Sequence, residues 1–336
     1  MRSPPRFIIA IVLAAGAVAG AVAILSQPLV TPVPSSPPAV DAARLEAHVK
    51  KLSVDLYPRS FEQFDHLEGA AQYILAQLRK SGATVSVQEV KVQEATYKNI
   101  IARFGPATGP LMVIGAHYDS YGDASRATNE RGFSTQTHTP GADDNASGVA
   151  GLLELARLLG QKPQARAIEL VAWTLEEPPN FRSANMGSAW HAKALKAAGR
   201  DVRLALSLEM IGYFRDDPGS QRYGLPGLSY VYSERANFIA LVGKLGGFSA
   251  TRRAKALMAG ATDLPVYSIN APRAMQGIDW SDHRNYWAEG YPALMVTDTS
   301  YLRNPNYHKA GDTYDKLDYV RMAKVVQGVY AIADKF

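Results

Sequence analysis

The sequence contains no cysteine. That excludes a thiol nucleophile, thiolate metal sites, disulfides and a lipid-modified cysteine near the N-terminus. Charge is also sparse. Only 20% of residues are charged, and the net charge of +5 is dispersed, with Arg2 and Arg6 at the extreme N-terminus. No basic stripe marks a nucleic-acid surface, so nucleic acid is not an expected partner. Several catalytic signatures are missing as well: no H-E-x-x-H helix, no G-x-S-x-G elbow and no G-x-x-x-x-G-K-[ST] phosphate loop. Nothing in the spacing of Ser147, Asp282 and His283 favours a serine-hydrolase triad.

What is present describes a globular chain of 336 residues, 47% of them apolar, enough for a sizeable core. An uncharged run at residues 7–25 follows Arg2 and Arg6. Its 19 residues are just long enough to span a bilayer, which favours a retained anchor, while Ala21-Val22-Ala23 also has the form of a cleavage site. Either way the positive end stays cytoplasmic, and the remainder is expected to be exported, periplasmic or extracellular. The expected organisation is a leader at residues 1–27, a proline-rich linker at 28–40 that favours extended chain, and one catalytic domain at 41–336.

Residues 41–53 and 66–81 carry helical periodicity, and ATVSVQEVKVQ with YKNIIARFGP reads as a hairpin. LMVIGAH is a short, continuously apolar run, as strands buried on both faces are, AIELVAWTL reads as another buried strand, and LALSLEMIGY and YPALMVTDT supply two more. SGVAGLLELARLLG and residues 319–335 read as amphipathic helices. Strands alternating with helices predict an α/β fold: a mixed, mostly parallel central sheet flanked by helices, with the early hairpin adding antiparallel strands at one edge.

Metal-type side chains stand at the ends of these runs: His117, Asp143, Glu177, Glu209 and His308. Ligands in open α/β sheets bind at the carboxyl ends of strands. Two imidazoles and three carboxylates suit zinc, and Glu176, beside Glu177, is a free acid available for proton transfer. Asp119 lies two residues beyond His117, where a carboxylate can fix the imidazole tautomer. Helix capping accounts for one acid of the Asp143-Asp144 pair and leaves the other over. Glu209, between Leu208 and Met210, reads as a buried carboxylate in need of a cation or strong hydrogen bonds.

The segments GAHYDS, PGADDNASG, TLEEPP, LEMIGY, SDH and NPNYHKAGDT, in this order, resemble the M28 family of zinc peptidases. The resemblance spans residues 41–336. It implies two zinc ions per chain, one held by His117 and Glu209, the other by Glu177 and His308, with Asp143 bridging them. It further implies that Glu176 is the general base, that Asp119 supports His117, and that Asp144 follows a cis peptide. The implied activity is aminopeptidase cleavage of peptides with a free N-terminus. Two departures stand out: Glu209 where many relatives have Asp, and no tyrosine beside the SDH segment to bind an oxyanion, with His283 as a candidate for that role. Three alternatives follow from the same fold: a glutaminyl-cyclase-like aminoacyltransferase with one zinc, a hydrolase of non-peptide amides, and a non-enzymatic binding module. The full ligand set with Glu176 speaks against the first and the last.

Overall fold

A computed structural model describes residues 20–122 and 138–336, together with Gly16. Its framework is an eight-stranded sheet with helices on both faces. In chain order the elements are α1 (Ala42–Lys50), α2 (Phe64–Arg79), β1 (Thr84–Val92), β2 (Ala95–Phe104), β3 (Leu111–His117), α3 (Gly148–Leu159), β4 (Ala167–Trp173) and α4 (Gly187–Ala197). They continue as β5 (Val202–Glu209), β6 (Ile239–Lys244), α5 (Phe248–Ala259), β7 (Val266–Ala271), α6 (His283–Ala288), β8 (Ala293–Thr297) and α7 (Tyr319–Lys335).

The strand order is β1-β2-β4-β3-β5-β8-β6-β7. Strands β4, β3, β5 and β8 run parallel, and β1 and β2 join antiparallel at one edge. The mixed, mostly parallel sheet is the fold class expected from sequence, with the hairpin where it was anticipated. Every residue of β3 and β4 is buried, which is why neither strand alternates polar with apolar residues. Edge strand β1 instead carries Lys91 and Glu89, charges that discourage pairing with another chain. Gly115 in β3 is required by packing: a Cβ there would lie 2.4 Å from the Val171 carbonyl and 2.5 Å from the Trp173 ring.

The unit β6–α5–β7 was not legible in the sequence. Its two strands are parallel to each other, while β6 runs antiparallel to β8. Both strands are six residues long, and although β6 is apolar up to Lys244, β7 mixes buried with half-buried positions, so no continuous apolar run announces the second strand. The proline-rich stretch 28–40 is extended, yet it is laid against the domain. Val33 N–H donates to the Ala256 carbonyl (2.8 Å), Ser35 N–H to Gly260 (3.0 Å), and the Gln327 amide to Pro38 (3.2 Å). No helix among the described residues is long and apolar enough to cross a membrane. Most of the apolar run 7–25 lies outside the described residues.

Candidate metal centre

The carboxyl ends of the parallel strands converge on one anionic cleft. His117 ends β3, Glu209 ends β5, and Glu176 and Glu177 follow β4. All four are buried, as are Asp144 and His308. Three residues at these ends have left-handed backbone, Leu175 (φ 61°), Met210 (φ 50°) and His308 (φ 55°). Such strain concentrates where side chains must be aimed against local preference.

Two groups of donor atoms result. His117, Asp144 and Glu209 form one and Asp144, Glu177 and His308 the other, each with its atoms within 4.8 Å of one another. Asp144 is shared. Its Oδ1 lies 3.5 Å from His117 Nε2 and its Oδ2 3.2 Å from His308 Nε2. Glu209 Oε2 is 3.3 Å from His117 Nε2, and Glu177 Oε1 is 3.5 Å from His308 Nε2.

The shared carboxylate is therefore Asp144, and the expectation for Asp143 is corrected by one position. Asp143 points the other way. Its Oδ1 accepts the Gly212 N–H (3.0 Å) and its Oδ2 the Asn304 amide (3.0 Å). Asn145 and Ser147 share that direction: Asn145 Oδ1 accepts from Met210 N–H (3.1 Å) and Ser147 Oγ from Ile211 N–H (3.0 Å). The polar residues at 143, 145 and 147 thus stitch this turn to the segment after β5 and leave Asp144 facing the cleft. The cis peptide joins Asp144 to Asn145, so Asp144 precedes it where the resemblance placed it after. Asp312 steadies the turn from below by accepting both the Asp143 and Asp144 N–H groups (3.1 Å each).

Asp119 acts on two neighbours. Its carboxylate oxygens accept the backbone N–H groups of Glu176 (3.1 Å) and Glu177 (2.9 Å), fixing the acid pair. Its main-chain carbonyl lies nearer His117 Nδ1 (3.1 Å) than its carboxylate does (3.6 Å). A carbonyl can only accept, so Nδ1 carries a proton and Nε2 is the nitrogen that faces the cleft. Ser281 Oγ donates to Glu209 Oε2 (2.7 Å) and is itself bonded to Ser207 (2.8 Å). The His308 ring is sandwiched between Tyr121 and Tyr307, with ring centres 3.9 and 3.8 Å away. Glu176 Oε2 stands 4.0 Å from His117 Nε2, beside the donors.

The electrostatics are those of a site short of positive charge. Burial, with nearby carboxylates, raises Glu176 well above the usual glutamate range and Glu177 to about 7. Burial opposes ionisation of the imidazoles, but Glu177 and Asp144 lift His308 to about 9, and Glu209, Asp119 and Asp144 lift His117 well above its ordinary value. Only Asp144, held between the two imidazoles, falls below the carboxylate range against the effect of burial. His117 Nε2 and Glu177 Oε1 are buried without hydrogen-bond partners. Buried donors of this kind, converging around a common volume, fit divalent cations.

Tyr307 and an aromatic cavity were not anticipated from the sequence, whereas His283 was. Tyr307 is half-buried, with its phenol held protonated, first by desolvation and then by the carboxylates of Asp144, Glu177, Glu209 and Glu176. His283 takes no part. Its Nε2 bonds the Ile278 carbonyl (2.8 Å), its ring stands edge-on to Trp287 at 4.4 Å, and burial lowers it to about 4. Beside Glu209 opens a cavity of about 270 Å³, walled by Tyr223, Tyr232, Phe238, Tyr267 and Trp280, with Tyr307 also on its lining.

An open α/β sheet that gathers imidazoles and carboxylates into two fused donor sets at its strand ends is the layout of a metal-dependent hydrolase. The chain belongs to peptidase family M28, whose model matches residues 99–333, and it is a metallopeptidase. It is similar to the uncharacterized protein YfbL of Escherichia coli (strain K12), with 49% identity over 309 residues, covering 92% of this chain and 93% of that protein. A probable leucine aminopeptidase of Arthroderma otae is 26% identical over 288 residues, covering 83% of this chain and 68% of that one. Among solved structures, LapB from Legionella pneumophila superposes with a TM-score of 0.65 at 22% identity, covering 87% of this chain and 71% of that chain. A glutaminyl cyclase from Bacteroides thetaiotaomicron superposes at 0.66 with 19% identity, covering 90% of this chain and 100% of that chain. Both likenesses establish the fold.

Proposed function

We propose that this chain is an exported zinc aminopeptidase that holds two metal ions and releases N-terminal residues from peptides. The observation that carries the reading is Asp144, whose two oxygens face two separate imidazoles, each with its own glutamate. His117 and Glu209 would hold one ion, Glu177 and His308 the other, with Asp144 between them. Bound there, zinc would acidify water and polarise the scissile carbonyl.

The protein's own groups supply the rest. Glu176 takes the proton of the attacking water and returns it to the departing amine, a role that suits a carboxylate standing beside the donors, 4.0 Å from His117 Nε2. Asp119 keeps Glu176 and Glu177 in register through their backbone N–H groups. Tyr307, which stays protonated, is the donor proposed for the developing oxyanion. The surplus of carboxylates favours a substrate with a free, cationic α-amine. The aromatic cavity next to Glu209 suits a large apolar N-terminal side chain. The leader at residues 7–25 would carry the domain across the cytoplasmic membrane and hold it there.

The test uses the full chain on aminoacyl-anilides and on N-terminal glutaminyl peptides, with metal, after chelation and as Glu176→Gln. Chelator-sensitive release of a large apolar N-terminal residue, lost in Glu176→Gln, is expected. Cyclisation of glutaminyl peptides with one metal per chain would replace this reading with the aminoacyltransferase. Activity confined to non-peptide amides would replace it with the third alternative.

A further inference from the structure

The point where the leader enters the domain is rigidly built. Residues 20–26 are helical; Ser26 and Gln27 are buried, whereas residues 20, 21, 23 and 24 are exposed. The buried Lys255 on α5 donates to the carbonyls of Ser26 (3.2 Å) and Gln27 (2.9 Å). Ser268 Oγ on β7 donates to Ser26 (2.9 Å), and the Gln27 amide donates to the Phe248 carbonyl (2.9 Å). The helix is pinned at its base and exposes Ala21, Ala23 and Ile24, and in sequence it is the end of the uncharged run 7–25.

A second apolar element lies beside it. The Ser268 carbonyl accepts the Tyr232 hydroxyl (2.8 Å), which fastens the loop 224–232 next to the exit of the helix. That loop exposes Leu225 (45%) and Tyr230 (94%), and Leu29, just past the helix, is 88% exposed. Leu225 and Leu228 also line the aromatic cavity.

We propose that the loop 224–232 is a membrane-contacting loop, seating Leu225 and Tyr230 in the interfacial region of a phospholipid bilayer alongside the leader helix. Tyrosine favours that depth because its ring is apolar and its hydroxyl stays hydrated. The exposed apolar loop and the exposed helix end then share one occupant, and the cavity rim formed by Leu225 faces the lipid surface. The peptides best placed for cleavage are those whose N-termini emerge at that surface. The inference rests on the leader acting as an anchor, and the experiment separates the two.

Because the chain has no cysteine, Tyr230→Cys gives a single attachment point for an environment-sensitive fluorophore. Glu89→Cys, on β1 at the opposite edge of the sheet, is the control. Full-length protein is reconstituted into phosphatidylethanolamine/phosphatidylglycerol vesicles and floated on a density gradient. Expected is flotation with blue-shifted emission at position 230, quenched by spin-labelled lipid, and water-like emission at position 89. Flotation with water-like emission at both positions overturns the loop inference while the anchor stands. Equal blue shifts at both positions indicate general adsorption and also overturn it. Failure to float removes the anchor and the inference with it, leaving the peptidase reading to its own test.

Discussion

Two buried clusters in this protein pair glutamate with histidine, and they resolve their charge in opposite ways. On the α4/α6 face of the sheet, Glu169 accepts from Arg103 (2.6 Å) and lies 3.1 Å from His191, whose other nitrogen meets the Tyr286 hydroxyl at 2.6 Å. Burial works against the Glu169 carboxylate, but His191 and Arg103 hold it below its ordinary range. At the strand ends, Glu176, Glu177 and Glu209 are all raised by burial, with only two imidazoles to share. One cluster is complete with protein partners alone, Arg103 among them; the other has buried donor atoms that protein partners leave over. Counting cationic partners, more than counting acids, separates a structural network from a metal centre.

The largest effect should come from the shared carboxylate. Asp144→Asn is expected to abolish peptide cleavage and bound metal, whereas Asp143→Asn, at a backbone-bonding position, should keep both metals by elemental analysis. Metal loss in Asp143→Asn with retention in Asp144→Asn would reverse the assignment. Glu176→Gln comes next: kcat falls by about 10³-fold, within the usual range for losing a general base, while metal content is unchanged. For Asp119→Asn, which keeps the shape but weakens the acceptors for Glu176 and Glu177, activity should fall about 10–100-fold, as for other groups that orient metal ligands. Steady-state kinetics with metal titration separates that loss from the loss of the base.

The smallest effect on activity should be that of Glu169→Gln, the counterpart in the other cluster. It should leave kcat and metal content intact and cost about 1–3 kcal/mol of stability, read by denaturant unfolding. Its pH signature follows from the depressed carboxylate. A carboxylate whose folded pKa lies below the unfolded value, about 4.3, contributes stability that is complete above that value. The contribution is lost as pH falls through the folded pKa. Wild type should therefore lose its advantage over Glu169→Gln below about pH 4. An advantage that did not change with pH anywhere in the acid range would show that Glu169 is not the stabilising anion.

Much of this was legible in the sequence, for physical reasons. Strands β3 and β4 are buried on both faces, so β3 reads as an unbroken apolar run ending in His117 and β4 as an apolar run, broken only by Glu169, that stops just before Glu176. Glu209 was conspicuous because an acid between Leu208 and Met210 has no solvent to meet. Adjacent acids were harder. Choosing between Asp143 and Asp144 depends on which way a tight turn faces, and one residue of register reverses it. The alternation of Asp143, Asn145 and Ser147 as bonding partners of Met210–Gly212 was the available signal. Tyr307 was invisible because its role depends on a stack with His308 and on four carboxylates from other segments. The extended conformation of 28–40 was legible but its docking was not, because proline content reports chain conformation and says nothing of a surface to lie on.

On the proposed reading, two metals flank one aspartate. Anomalous diffraction at the zinc edge from crystals of the zinc-loaded protein tests it most directly. Two peaks are expected, one against His117 and Glu209 and one against Glu177 and His308, with the Asp144 carboxylate between them. A single peak, or a peak on Asp143, would contradict it.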